Sequence, residues 1–179
     1  NNIFANSGIV TQILPDDYAD LVPHFGPLAG LRFQEQLEKM GYAQGGGAQI
    51  APAQRLDAFV RGAKCSDTLP TSYHPGLTAS DMDKWMPRFI SQALRAGFRE
   101  FDKKMRGFVT PDAQVIGIES RTSSPVRIPR DRESYMHPQV SGLFPVGEGA
   151  GYAGGIISAA VDGASSARAA VEYLRRERP

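Results

Sequence analysis

The chain has 179 residues, of which 41% are hydrophobic and 22% are charged, so its composition excludes a wholly disordered protein. The formal net charge of +1 lacks the basic excess that is typical of a non-specific nucleic-acid binder. A single cysteine, Cys65, excludes both an internal disulfide and a zinc site built from cysteines.

Membrane insertion and secretion are not expected. The run of small and apolar residues Ala153–Val161 has nine residues, too few to cross a bilayer, and no secretion signal opens the sequence. We therefore expect a cytoplasmic protein with neither a membrane nor a nucleic acid as partner.

The first elements predicted along the chain are a short strand and a helix. Gly8–Leu14 is strand-like and ends at Pro15, and a chain that enters in mid-strand indicates a piece of a longer protein. A helix face with spacings of three and four residues follows, formed by Ala29, Phe33, Leu37 and Met40. Gly41 is a plausible end for this helix, and Gly45–Gly47 reads as a flexible, solvent-facing turn.

Two further helices are predicted before residue 108. Pro52–Arg61 forms a short helix that ends at Gly62 and points Leu56, Phe59 and Val60 inward. After the polar loop Lys64–Pro75, Thr78 and Asp81 have the spacing of a capping box. A long amphipathic helix then follows Pro87 and is closed by Gly107; its apolar face comprises Ile90, Leu94, Phe98, Phe101 and Met105.

Short strands and a final helix are predicted in the last third of the chain. Val115–Ile118, Val126–Ile128 and Gly142–Val146 are the strand candidates. The final helix runs to about Arg176, with a stripe of small and apolar residues that allows close approach to a sheet or another helix: Ile156, Ala160, Gly163, Ala167, Val171 and Leu174. We therefore predict an α+β fold, with a helical cap or substrate domain over residues 15–107. Residues 1–14 and 108–179 supply β segments and the last helix of a second part.

A glycine-rich segment lies between the last predicted strand and the final helix. Gly149–Gly154 matches the G-x-G-x-x-G pattern of dinucleotide-binding loops. We reject that reading because no second strand carrying a ribose-binding acid follows the helix in this sequence. Glu148 is a lone carboxylate among glycines, suited either to accept hydrogen bonds from ligand hydroxyls or to stabilise the turn. Backbone N–H groups at the start of the helix lack intrahelical partners and attract an anion or a carbonyl.

The segment Leu143–Glu148, the glycines after it and the helix Ile156–Ala170 resemble the C-terminal FAD motif of two-domain flavoproteins. The resemblance implies that Glu148, directly after Gly147, bonds the ribityl chain of FAD. It also implies that the helix start, at Gly154, Gly155 and Ile156, faces the pyrimidine carbonyl of the flavin.

A narrower resemblance covers almost the whole chain. The sequence is similar to the uncharacterised FAD-dependent, or NAD(FAD)-utilising, dehydrogenases in five ordered blocks: Asn6–Val10, Gly26–Glu35, Ala51–Arg55, Glu119–Arg127 and Gly147–Gly155. It resembles only their C-terminal portion, because the N-terminal Rossmann half with the pyrophosphate-binding loop is absent from this sequence. The resemblance implies an FAD-dependent oxidoreductase with an unidentified small-molecule substrate. FAD is expected in the intact protein and not in this chain alone.

Other candidate sites give weaker signals. Arg121, Ser123, Ser124 and Arg127 either line the substrate or flavin side of a cleft or form a solvated turn. Arg127 and its neighbours Arg130, Asp131 and Arg132 are predicted to form a charged surface. The three histidines lack metal-ligand spacing, so no metal site is expected, and no catalytic acid or base can be named. The alternative function is a non-catalytic ligand-binding or interaction module.

Overall fold

The structure of the protein is a computed structural model that describes residues 3–177. These residues form two compact units. The first comprises residues 3–17 and Glu35–Ser120, and the second comprises Tyr18–Gln34 and residues 121–177.

The described residues contain a mixture of helices and a small sheet, which confirms the predicted α+β class. In chain order the elements are α1 (Val22–Phe25), α2 (Ala29–Gly45), β1 (Ala51–Arg55), α3 (Leu56–Arg61), β2 (Leu77–Ala79), α4 (Arg88–Lys104), β3 (Gln114–Ile116) and α5 (Ile156–Glu177). Short 3-10 helices cover Pro15–Leu21, Gly26–Leu28 and Met82–Lys84. No helix in this part of the chain combines the length and the apolarity that crossing a bilayer requires.

Strand β1 is the centre of the first unit. It pairs in parallel with β2 through Ala51–Leu77 and Ala53–Ala79, and antiparallel with β3 through Ala53–Ile116. The prediction of one helix over Pro52–Arg61 is therefore wrong in its first half, because residues 51–55 are paired on both sides. Tertiary pairing overrides local propensity here.

The second half of that prediction is confirmed. In α3 the side chains of Leu56, Phe59 and Val60 are buried, and the helix ends at Gly62 in the left-handed conformation, with φ of 72°. Phe59 meets Phe98 of α4 edge to face, with ring centroids 6.0 Å apart. These contacts pack α3 against α4 over the core of this unit.

Helix α4 is amphipathic, as its spacing predicts. Ile90 and Phe98 are buried, and Phe101 packs with Phe108 just beyond the helix, with ring centroids 5.6 Å apart. The apolar face of the helix ends at Phe101 and does not include Met105, because Met105 is the C-cap residue and is exposed. The predicted capping box is wrong: Thr78 lies in β2, and the Asp81 carboxylate accepts the N–H of Cys65 at 3.0 Å.

Three of the predicted strands are wrong within the described residues. Gly8–Leu14, Val126–Ile128 and Gly142–Val146 form no strand, whereas Val115–Ile118 corresponds to β3 in part. β-branched runs indicate a strand only where a neighbouring strand is present to pair with them. The segments after residue 120 are instead held by turns and side-chain hydrogen bonds.

Helix α5 is confirmed, and its stripe of small and apolar residues is not covered within the described residues. The residues of the predicted stripe are mostly exposed, including Ile156 at 88%. The side that packs within the second unit includes Ser166, which is buried, and Tyr173, whose ring lies 5.9 Å from that of Phe144. The helix therefore has apolar or small residues on two sides, a pattern typical of a helix covered on both.

Helix α2 extends one turn beyond Gly41, its predicted end. At Gly45 the helix passes so close to the carbonyl oxygen of Ile50 that a Cβ on Gly45 would overlap this atom. The carbonyl of Gly45 accepts the hydroxyl of Thr78 at 2.9 Å. The expectation of a solvent-facing turn at Gly45 is therefore wrong, because this glycine is buried where the helix meets β2 and the chain leading into β1.

Gly45 and Gly97 provide a matched test of this packing. Gly97 lies within α4 and a Cβ there would meet nothing within 4 Å. We expect Gly97→Ala to stabilise the chain by about 0.5–1 kcal/mol through helix propensity. Gly45→Ala should lower the free energy of unfolding by about 1–3 kcal/mol, because the Ile50 carbonyl must move. Denaturant unfolding followed by circular dichroism measures both, and equal effects of the two substitutions would contradict the close approach.

Candidate functional site

The segment Gly147–Gly155, called the glycine turn below, leads into α5. The N–H of Gly151 donates to the carbonyl of Glu148 at 2.9 Å, and the N–H of Tyr152 donates to that of Gly147 at 3.0 Å. Gly147 and Gly151 have φ of 72° and 82°, a region that favours glycine. The Glu148 side chain is exposed and makes no hydrogen bond within the described residues, so its carboxylate is free to accept donors from a ligand.

The glycine turn packs against residues 124–128. A Cβ on Gly151 would lie 2.6 Å from the carbonyl oxygen of Val126, so only glycine allows this approach. The N–H of Ile128 donates to Ala150 at 3.1 Å, and the Nε–H of Arg127 donates to the carbonyl of Gly151 at 3.0 Å. Two segments about 24 residues apart in sequence are thereby fixed side by side.

A shallow pocket of about 270 Å³ lies where these two segments meet. It is lined by Ser123, Ser124, Arg127, Gly151, Tyr152, Ala153 and Gly154. The structure thus brings three of the four predicted cleft residues to the glycine turn, whereas Arg121 is exposed and lies outside this lining. The hydroxyl of Ser124 is already engaged, because it donates to the carbonyl of Val126 at 2.8 Å. The pocket is below the size of a complete small-molecule site and would hold only part of a ligand.

The start of α5 is capped by its own sequence. The N–H of Gly155 donates to Oγ of Ser158 at 3.1 Å, and the Ser158 hydroxyl donates back to the Gly155 carbonyl at 2.9 Å. The N–H groups of Ile156 and Ile157 have no hydrogen bond within the described residues. A Cβ on Gly154 would meet nothing within 4 Å, and one on Gly155 would meet only Oγ of Ser158, at 3.7 Å. The helix start is therefore open on its outer side.

An ion pair that contacts the glycine turn was not predicted from the sequence. Arg130, predicted to belong to a charged surface, has a side chain only 10% exposed and pairs with Asp162 of α5, whose side chain is 12% exposed. The Asp162 carboxylate also accepts the N–H of Gly147 at 2.8 Å. The available signal was Asp162 itself, a lone charge among small and apolar residues in the first three turns of α5, which indicates an internal partner.

The guanidinium of Arg130 lies against two aromatic rings. The Cζ atom of Arg130 lies 3.7 Å from the ring centroid of Tyr152 and 4.4 Å from that of Tyr135. Tyr152 donates its hydroxyl to the carbonyl of Ile128 at 2.9 Å, which ties the same ring to the neighbouring segment. Tyr152 is thus a lining residue and a support of the turn, and sequence reasoning did not single it out.

Metal ligation has no candidate group in residues 3–177. No three histidine, cysteine, aspartate or glutamate side chains in this part of the chain are grouped so that they could hold an ion.

Comparison with known families decides the assignment. The family model described as "FAD-dependent protein, C-terminal domain-like" matches residues 1–122, which is more than half of the chain. The chain belongs to this family. The resemblance to the C-terminal portion of FAD-dependent proteins is therefore confirmed, although the glycine turn lies beyond the residues matched by the family model.

This member of the FAD-dependent family also has a similar curated relative. An uncharacterised protein of Clostridium beijerinckii is 40% identical to it over 171 residues, which are 94% of this chain and 31% of that protein. The chain thus spans about a third of the length of the relative.

The residues around the glycine turn fit the parts of FAD that the resemblance assigns to them. Glu148 offers an unengaged carboxylate, as ribityl hydroxyls require. The start of α5 offers free N–H groups and no side chain at Gly154 or Gly155, as a flat ring edge with a carbonyl requires. The Glu148 carboxylate, which accepts hydrogen bonds, and the N–H groups at the start of α5, which donate them, lie towards the two ends of the glycine turn.

The partly buried ion pair of Arg130 and Asp162 predicts a dependence of stability on pH. The bonds from Arg130 and from the Gly147 N–H hold the pKa of the Asp162 carboxyl below its ordinary value. Because the folded pKa lies below the unfolded one, the pair stabilises the fold above the unfolded pKa of about 4, and this contribution is lost as the pH falls through the folded pKa. We expect the stability gap between the wild-type chain and Asp162→Asn to be constant near neutral pH and to close in acid.

Urea unfolding at a series of pH values measures that gap. The control is Asp67→Asn, since Asp67 pairs with Arg55 at an exposed site. Added salt should screen the exposed pair and leave most of the contribution of Asp162. A gap for Asp162→Asn that stays constant down to pH 2 would contradict the assignment.

Proposed function

We propose that this chain is the C-terminal portion of an FAD-dependent oxidoreductase, in which it supplies a substrate domain and the final flavin-contact segment. The observation that carries the proposal is the glycine turn, where the free carboxylate of Glu148 and the open start of α5 flank one loop in a chain of an FAD-dependent family. In this proposal residues 15–107 form the cap or substrate domain. Residues 1–14 and 108–179 belong to the flavin-binding part, with β3 of that range paired to β1 of the substrate domain, and the location predicted from the sequence, the cytoplasm, is retained.

The proposed roles of the site residues follow from the groups they present. Glu148, after the turn at Gly147, accepts hydrogen bonds from the ribityl hydroxyls. The N–H groups of Gly154 and Ile156 donate to the pyrimidine carbonyl, while Gly155, whose own N–H is engaged by Ser158, leaves room for the ring edge. When bound, FAD supplies the acceptor for a hydride or electrons. Ser123, Arg127 and the neighbouring Ser124 line the pocket beside the turn, on the substrate or flavin side.

The exposed side of α5 supports a further part of the same protein as partner. All of its large apolar residues are exposed, for example Ile157 at 76%; they are Ile156, Ile157, Val161, Val171 and Leu174. A continuous apolar helix side of this kind is usually covered. We propose that the preceding, N-terminal portion of the intact protein covers it, because the relative is about three times as long as the matched segment. The missing portion is proposed to be the Rossmann half that binds the pyrophosphate of FAD.

Copurification of flavin tests the cofactor assignment. We expect the full-length protein to carry FAD with its visible absorption. The 179-residue chain should be folded and colourless, because without the pyrophosphate contacts the few remaining bonds must offset the entropy of association. Absorption spectra and circular dichroism of both proteins measure this. A colourless full-length protein would favour the alternative of a non-catalytic binding module, and stoichiometric flavin on the short chain would contradict the need for the other half.

Substitutions at the turn test which residues contact the flavin. In the full-length protein, Gly155→Val should weaken FAD binding by more than about tenfold, because a branched side chain fills space at the helix start; tenfold corresponds to about 1.4 kcal/mol. Glu148→Ala should have a smaller effect than Gly155→Val, because it removes one or two hydrogen bonds and leaves the space for the flavin ring open.

Gly97→Val is the matched control, because a Cβ there also meets nothing within 4 Å. Gly45→Val would not serve as a control, because the added side chain would overlap the carbonyl oxygen of Ile50 and disturb folding. FAD titration of the apoprotein, with unfolding curves for each variant, separates affinity from stability. Unchanged affinity in a folded Gly155→Val variant would remove the start of α5 from the flavin site.

A further inference from the structure

The largely buried pair of Arg130 and Asp162, with side chains 10% and 12% exposed, has bonding partners beyond the pair itself. The two side chains form a double hydrogen bond, Nη1 to Oδ2 at 3.0 Å and Nη2 to Oδ1 at 2.5 Å, although they are 32 residues apart in sequence. Each also bonds the backbone of one short segment. Nη1 of Arg130 donates to the carbonyl of Pro145 at 2.9 Å, and Oδ2 of Asp162 accepts the N–H of Gly147 at 2.8 Å. The chain is therefore fastened on both sides of Val146.

The residue next along the chain is Glu148. Its side chain has no hydrogen bond within the described residues, so the position of its carboxylate depends on the backbone that carries it. That backbone enters the turn at Gly147, whose φ of 72° is outside the range of most residues and whose N–H is held by Asp162. Asp162 thus fixes the Val146–Gly147 peptide, and the next peptide, which leads into Glu148, is held by the N–H of Tyr152 on the Gly147 carbonyl at 3.0 Å.

The groups around Arg130 restrict the movement of its side chain. Tyr152 and Tyr135 lie against the guanidinium, and its Nη1 and Nη2 atoms are bonded to Asp162 and Pro145. A lysine has no planar fork and could not keep all of these partners. Fixing one conformation, more than adding net stability, is the best-attested role of hydrogen-bonded ion pairs that are shielded from water.

On these grounds we infer that Asp162 and Arg130 are positioning residues for the flavin-contact turn: they hold Gly147 so that the Glu148 carboxylate stands where the ribityl chain is bound. The inference rests on the proposed function, because it concerns how Glu148 meets the cofactor. Neither residue touches the cofactor in this account. Asp162 acts through Gly147, and Arg130 acts through Asp162 and Pro145.

A double-mutant cycle in the full-length protein tests the coupling. We expect Asp162→Ala to weaken FAD binding at least fivefold and Arg130→Lys to weaken it less. If Asp162 acts through Glu148, the variant carrying both Asp162→Ala and Glu148→Ala should bind FAD within about twofold of Glu148→Ala alone, since coupled residues are not additive. Asp67→Asn, in an exposed ion pair, is the control and should leave FAD affinity unchanged.

A second readout does not depend on bound flavin. Amide hydrogen exchange of Gly147 in the apoprotein should become at least tenfold faster in Asp162→Ala than in the wild type, and unchanged in Asp67→Asn. If Asp162→Ala fails to fold, Asp162→Asn replaces it, because it keeps an oxygen acceptor for Gly147 and loses the charge that holds Arg130; its effects should be smaller and in the same direction.

The outcomes separate the inference from the proposed function. FAD affinity of wild-type strength in Asp162→Ala, effects that multiply with Glu148→Ala, or unchanged exchange at Gly147 would each overturn the positioning role. A wild-type full-length protein that binds no FAD would instead overturn the proposed function. In that case faster exchange at Gly147 would still establish that the pair holds the turn, and the role toward flavin would be rejected.

Discussion

The carboxylate of Asp162 is the point on which the arrangement of the second unit depends. It joins α5 to Arg130 and to the backbone of Gly147, and so connects the helix, the segment that precedes the glycine turn and the turn itself. The segments after residue 120 form no strand within the described residues, so side-chain bonds replace the ladder that would otherwise align them. An open loop region can be held in one shape by a few charge-assisted bonds when they are kept away from water.

In the first unit the segments are held in place by a sheet and by one buried side-chain amide. Its three-stranded sheet is small, and the buried amide of Gln54 in β1 ties the sheet to its surroundings by donating to Ala63 at 2.8 Å and accepting the N–H of Met82 at 3.0 Å. Phe59 and Phe98 then close the apolar side. A satisfied amide at the centre of a small core fixes the position of the connecting segments as well as their burial.

Sequence patterns predicted the elements whose signals are local. The spacing of Ile90, Leu94 and Phe98 gave α4, and Gly62 gave the end of α3, because helix faces and helix ends are encoded within a few residues. The failures involve partners distant in the sequence. Residues 51–55 became a strand through pairing with residues 77–79 and 114–116, and Gly45 was buried against β2, where Thr78 donates its hydroxyl to the Gly45 carbonyl. The glycine turn was found from its residues, whereas Arg130 was assigned to the surface because its partner lies in another element.

The self-capping of α5 has a consequence for how a ligand would arrive. Because Ser158 already engages the N–H and the carbonyl of Gly155, the first helical turn is formed before anything binds to it. Binding to such a preorganised helix start does not carry the entropy cost of ordering the helix, so more of the interaction free energy appears as affinity. Association at this end should accordingly proceed without a slow folding phase, at a rate limited by encounter and orientation and not by the chain.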